Sequence, residues 1–87
     1  LARGGLVDEA AIADVLRQGK LAGYASDVLT QEPPPADHVF FTEAIRDRIM
    51  LTPHIAWASQ ESRQNLIDEI AGNIAAFKRG KRRNRLD

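Results

Sequence analysis

The chain has 87 residues, enough for one small domain that buries only roughly 60–65% of the surface its unfolded form exposes, which excludes a large self-sufficient core. Twelve Lys and Arg balance twelve Asp and Glu, leaving no overall field to draw the chain to nucleic acid, a membrane surface or a polyanion. With no cysteine there is neither a disulfide framework nor a thiolate metal site, and no apolar run approaches the roughly 20 residues needed to cross a bilayer.

In chain order, Ala11, Ile12, Val15 and Leu16 share one helical face, with Asp8 and Glu9 near the positive end and Gly19 as a stop, so a helix is predicted from about Asp8 to Gln18. The run from Leu21 to Leu29 is small and apolar without alternation, as in a strand buried on both faces of a parallel sheet. Three consecutive prolines, Pro33, Pro34 and Pro35, then remove backbone donors and open a loop. Phe40 to Arg48 has room for a short helical turn but shows no clear period and reads as mostly irregular, with His38 a solvated loop histidine. Ile49 to Thr52 is a second short strand, stopped by Pro53.

Ser59 is the expected cap of a second helix with Glu61 in its first turn. Leu66, Ile67, Ile70, Ala71, Ile74 and Phe77 form its apolar stripe, and Gly80 terminates it. The expected fold class is therefore α/β: the C-terminal portion of a Rossmann-like, doubly wound parallel sheet in the order helix, strand, loop, strand, helix. Residues 1–80 make up that portion. Residues 81–87 form a basic tail, Lys81 to Arg85, whose cations complement the preceding helix dipole and stay solvated.

In open parallel sheets ligands sit beyond the carboxyl ends of the strands, so the polar residues to weigh are those just after an apolar run. Asp27, Glu32, His54 and Trp57 qualify, together with Arg3 at the chain's start. Singly, each has an ordinary explanation: a surface cation, a loop carboxylate, a turn histidine, a packing indole.

Together they lie in a recognisable order. Ala2-Arg3-Gly4-Gly5-Leu6-Val7-Asp8-Glu9, then Gly19-Lys20-Leu21-Ala22-Gly23, then Asp27-Val28-Leu29 with Glu32-Pro33, then Thr52-Pro53-His54-Ile55-Ala56 resembles the D-isomer-specific 2-hydroxyacid dehydrogenases from Ala2 to about Asn84. Arg3 and Glu32 are 29 residues apart and Glu32 and His54 are 22 apart, and four motifs in order are far more specific than any one. The resemblance implies a catalytic set of Arg3, Glu32 and His54. Arg3 would hold the carboxylate and keto oxygen of a 2-keto acid through its fixed fork of donors. His54 would give its proton to the keto oxygen, kept protonated near neutrality by Glu32, since an adjacent carboxylate favours imidazolium.

The resemblance further implies a cofactor, NAD or NADP, met by Ala2, Arg3, Asp27, His54 and Ala56, with Asp27 at the nicotinamide carboxamide. Substrate would be met by Arg3, His54 and Trp57; for Trp57 an ordinary core-anchor role is the alternative. No metal site is implied. His54-Ile55-Ala56-Trp57-Ala58-Ser59 looks most like the glycerate dehydrogenase and hydroxypyruvate reductase branch, whereas His38 to Glu43 departs from the family's usual proline-leucine pattern.

No Gly-x-Gly-x-x-Gly occurs, because Gly4 and Gly5 begin the wrong segment. The pyrophosphate loop and the residue choosing between NAD and NADP are thus expected upstream, in keeping with a chain that opens at Leu1 and has Met50 as its only methionine. The expected whole is a cytoplasmic, homodimeric oxidoreductase reducing hydroxypyruvate or glyoxylate, with no nucleic-acid or membrane partner. The alternatives are a non-catalytic, dehydrogenase-like protein-binding module of corepressor type and an independent small module with a basic tail.

Overall fold

Helix α1, Glu9–Arg17, begins where Asp8 stops being extended backbone: its side chain accepts the Ala11 N–H at 3.0 Å, satisfying one of the donors a helix start leaves unpaired. It ends two residues before Gly19, which takes φ +69°. The computed structural model, covering all of Leu1–Asp87, divides into two compact units, Leu1–Ile55 and Ala56–Asp87.

In the first unit, strand β1, Tyr24–Ser26, pairs in parallel with β2, Ile49–Leu51, in the register Tyr24 to Ile49 and Ser26 to Leu51. The Thr52 N–H bonds the Ser26 carbonyl at 3.1 Å and carries the ladder one step further. The expected strand from Leu21 to Leu29 is therefore much shorter and only half-buried. Two causes are visible: its one partner offers three residues, and Ser26 Oγ donates to the Val28 carbonyl at 2.8 Å, turning the chain out of the sheet.

The segment read as irregular supplies half of the core. Val39–Phe41 and Arg46–Arg48 are single 3-10 turns, and Phe40 and Ile45 are fully buried with Ala13 and Leu16 of α1. Tyr24 packs on Phe40 with ring centres 5.4 Å apart. Single turns leave no periodic trace in the sequence, which is why their contribution was hidden.

The second unit is helix α2, Gln60–Lys78, preceded by a 3-10 turn, Ala56–Ala58, and followed by the tail. Ser59 caps it through the Ser62 N–H at 3.1 Å, and Gly80 closes it at φ +66°, as expected. Ala76 is buried, whereas the stripe is open, from 45% exposure at Ile70 to 83% at Phe77. The tail is not merely solvated. Arg83 folds back on α2, donating to Asn73 Oδ1 at 2.5 Å and Glu69 Oε1 at 3.0 Å, and Asn84 donates to Glu69 Oε2 at 3.1 Å. No helix of the structure is long and apolar enough to cross a membrane.

Candidate active site

Because β1 and β2 run in parallel, their carboxyl ends emerge side by side, and this alone brings Asp27 to Thr52 although 25 residues separate them. Asp27 Oδ1 accepts the Thr52 hydroxyl at 2.5 Å and the Ile55 N–H at 2.9 Å. A carboxylate leaving a strand would be costly without donors, and here the chain itself supplies two. The same bonds tie down the turn after Pro53, in which His54 adopts φ +56°, a left-handed conformation that β-carbon crowding makes uncommon outside glycine.

In that pose His54 Nδ1 lies 2.7 Å from Glu32 Oε2. The other carboxylate oxygen of Glu32 accepts the Leu29 N–H at 2.9 Å, so both oxygens are assigned. The Leu29 N–H, then the bond to His54, hold the Glu32 carboxyl below its ordinary 4.5, and it is a carboxylate at neutral pH. The Glu32–Pro33 peptide is cis.

On the opposite side of the imidazole, Arg3 Nη1 lies 3.4 Å from Nε2. A guanidinium only donates, so a hydrogen bond along this contact requires Nε2 to accept, with the ring proton on Nδ1, toward Glu32. Arg3 comes to this place because Gly4 packs directly against the turn that carries Glu32. A β-carbon on Gly4 would stand 2.0 Å from the Leu29 carbonyl carbon and 2.3 Å from Thr30 N.

Arg3, Asp27, Glu32 and His54 are thus gathered in one unit, and the last three, with Thr52, form the polar part of a cavity whose apolar walls are Leu29, Pro33, Pro34 and Pro53. Ala2 is there through its carbonyl, which accepts from Arg3 at 3.0 Å. Ala56 and Trp57 belong to the second unit, in which Trp57 is 57% exposed.

Two contributors were not read from the sequence. Glu9 looked like an ordinary acid at a helix start, yet its Oε1 accepts the Thr30 N–H at 2.7 Å and its Oε2 meets His38 Nε2 at 2.9 Å. His38 is correspondingly not a solvated loop histidine: its side chain is 8% exposed, its Nδ1 accepts the Phe40 N–H, and its ring lies 5.0 Å from that of Phe40. Phe40, two residues on and fully buried, was the available signal.

Residues 1–56 match the model of the D-isomer specific 2-hydroxyacid dehydrogenase, NAD binding domain. The chain belongs to that family. Among curated relatives it is 45% identical over 83 residues to a glycerate dehydrogenase of Methylorubrum extorquens, covering 95% of this chain and 26% of that protein. It is 42% identical over 79 residues to a glyoxylate reductase of Korarchaeum cryptofilum, covering 90% and 23% respectively. Among solved structures it superposes, at a TM-score of 0.62, on an NADPH-dependent glyoxylate/hydroxypyruvate reductase of Sinorhizobium meliloti described in complex with NADP and malonate, with 33% identity over 86% of this chain and 22% of that one. The chain spans about a quarter of the length of the relatives it matches. Its α/β order with a parallel strand pair is that of the C-terminal part of the family's Rossmann-like NAD-binding domain.

Proposed function

We propose that this chain is the C-terminal, proton-transferring part of an NAD(P)-dependent D-2-hydroxyacid dehydrogenase, residues 1–80 completing the dinucleotide-binding domain and residues 81–87 forming its tail. The full-length enzyme reduces a small 2-keto acid, hydroxypyruvate or glyoxylate, to the D-2-hydroxy acid. The observation that carries the reading is the line from Glu32 through His54 to Arg3, with contacts of 2.7 Å and 3.4 Å on the two ring nitrogens. Names of relatives such as glycerate dehydrogenase and glyoxylate reductase support the substrate class.

Arg3 Nη1 and His54 Nε2 are close enough for one oxygen to bond both. A keto oxygen at that point takes a hydrogen bond from Arg3 while the rest of the guanidinium fork serves the substrate carboxylate. Protonated His54 gives its Nε2 proton to the keto oxygen; in the oxidative direction the neutral ring receives the hydroxyl proton. Glu32 acts through Nδ1, holding the ring's direction and stabilising its charged form. When bound, the nicotinamide dinucleotide supplies the hydride that the keto carbon accepts. The cavity suits a flat heteroaromatic amide: proline and leucine walls for its faces, Asp27 and the adjoining backbone for its polar end.

A cytoplasmic homodimer belongs to the same reading, on the strength of the family resemblance, and the mass of the full-length protein in solution checks the assembly. The deciding measurement is reduction of hydroxypyruvate and of glyoxylate by the full-length protein with NADH and with NADPH. Turnover with neither substrate and neither cofactor would overturn the enzyme reading in favour of a non-catalytic, protein-binding relative.

A further inference from the structure

We propose that Glu9, paired with His38, is a positioning residue for the Glu32–His54 pair. It fastens the turn from which Glu32 reaches the imidazole. The proposal rests on the reading that Glu32 and His54 act together.

Glu32 is presented by the turn through Leu29 and Thr30, outside any helix or strand, in which Leu29 is half-buried and Thr30 exposed. Leu29 N–H already bonds Glu32 itself, which shapes the turn without anchoring it to anything else. The anchor comes from α1, where Glu9 Oε1 accepts the Thr30 N–H at 2.7 Å across 21 residues of chain. The second oxygen is held by His38 Nε2 at 2.9 Å. Because His38 Nδ1 accepts the Phe40 N–H at 3.1 Å, the ring carries its proton on Nε2 and donates it to Glu9 in the neutral state. Phe40 and Phe41, with ring centres 5.0 Å and 5.8 Å from that of His38, fix the ring.

Glu9 and His38 are 15% and 8% exposed, whereas Glu32 and His54 are both 37% exposed. A glutamate in the first turn of a helix satisfies the dipole equally well in solvent. Partial burial and two directed bonds go beyond that need, and what they hold is the turn bearing Glu32. A solvent-facing pair whose angles must be kept requires such a support behind it, because a misplaced reacting group loses rate even when every group is present.

The test is steady-state ketoacid reduction by the full-length enzyme, recorded against pH. Glu9→Ala is expected to lower kcat roughly ten- to hundredfold with little change in KM, because orientation and not substrate binding is disturbed. The alkaline limb of its profile should move to lower pH, as it should in Glu32→Gln, because either change takes from His54 the carboxylate that favours its imidazolium form. Glu9→Gln keeps an oxygen for Thr30 but turns its amide NH2 toward the Nε2–H of His38, and should recover only part of the loss. In a Glu32→Gln background Glu9→Ala should change kcat by no more than about twofold, since the two act along one path. Should Glu9→Ala fail to fold, His38→Asn is compared instead: its amide oxygen can take the Phe40 N–H, but the contact that holds Glu9 and the ring packing on Phe40 and Phe41 are lost, and a smaller shift of the profile in the same direction is expected.

Wild-type kcat and pH profile in Glu9→Ala, with an altered profile in Glu32→Gln, would overturn the positioning role and leave the Glu32–His54 reading intact. A full-sized loss from Glu9→Ala in the Glu32→Gln background overturns it equally. An unchanged profile in Glu32→Gln itself defeats the underlying reading, and the proposal with it.

Discussion

Arg3 is the residue whose chemistry depends most on its shape. Its Nη1 stands 3.4 Å from His54 Nε2, and a planar fork can serve a carboxylate and a carbonyl at once where a lysine ammonium presents a single point of charge. Arg3→Lys in the full-length enzyme is therefore expected to lower kcat/KM for ketoacid reduction by about 2–4 kcal/mol, roughly 30- to 1,000-fold. Near wild-type kcat/KM would return Arg3 to the standing of a surface cation. Arg3, Glu32 and His54 were legible because an ordered set of motifs surrounds each of them. Glu9 and His38 were not, since an acid at a helix start and a histidine in a loop look the same in sequence whether they face water or each other.

Among the elements, helix ends were read most accurately, because Asp8, Gly19, Ser59 and Gly80 act through bonds with near neighbours. Strand length was read least accurately, since it depends on a partner 25 residues away and on where the Ser26 hydroxyl happens to point. The role of the Gly4–Leu6 turn was equally invisible: one glycine of the pair is packed on backbone and the other is open. A β-carbon at Gly4 would overlap the Leu29 carbonyl, which cannot swing aside as a side chain would, whereas at Gly5 it meets nothing within 4 Å. Gly4→Ala should then destabilise the full-length protein by about 3 kcal/mol, while Gly5→Ala stays within about 0.5 kcal/mol. Urea midpoints of the two variants measure the contrast. Equal midpoints would mean that the Gly4 contact with the Glu32 turn is not maintained in solution.

At the scale of the whole molecule, four carboxyls are held below their ordinary values. In Glu9 burial pushes upward, but the Thr30 N–H and His38 outweigh it; Glu32 is lowered by the Leu29 N–H and His54, Glu69 by Arg83, and Asp87 by Arg85. A depressed folded-state pKa means that the unfolded chain binds protons first, so this stabilisation is complete above the ordinary glutamate value of 4.5 and is lost as pH falls through the lowered values. Through these four groups the urea midpoint of the full-length protein should accordingly decline as pH falls below about 5; a midpoint that rises below pH 5 would contradict the assignment. The 87 residues by themselves face a second constraint, because binding and chemistry are divided along such a chain. A dinucleotide is held largely through its pyrophosphate at a glycine-rich helix start, and no Gly-x-Gly-x-x-Gly occurs here. Without a bound and oriented nicotinamide, the site also forgoes the 7–11 kcal/mol or so that orientation can supply. The open face of α2, from Leu66 to Phe77, further favours self-association when these residues are produced alone. The isolated segment should thus neither bind NADH at micromolar concentration nor reduce hydroxypyruvate, although it holds Arg3, Glu32 and His54 in place. Titration with NADH, with and without hydroxypyruvate, alongside its mass in solution, tests this. Turnover or micromolar binding by a folded monomer would show that these residues are sufficient and that the proposed division between binding and proton transfer is wrong.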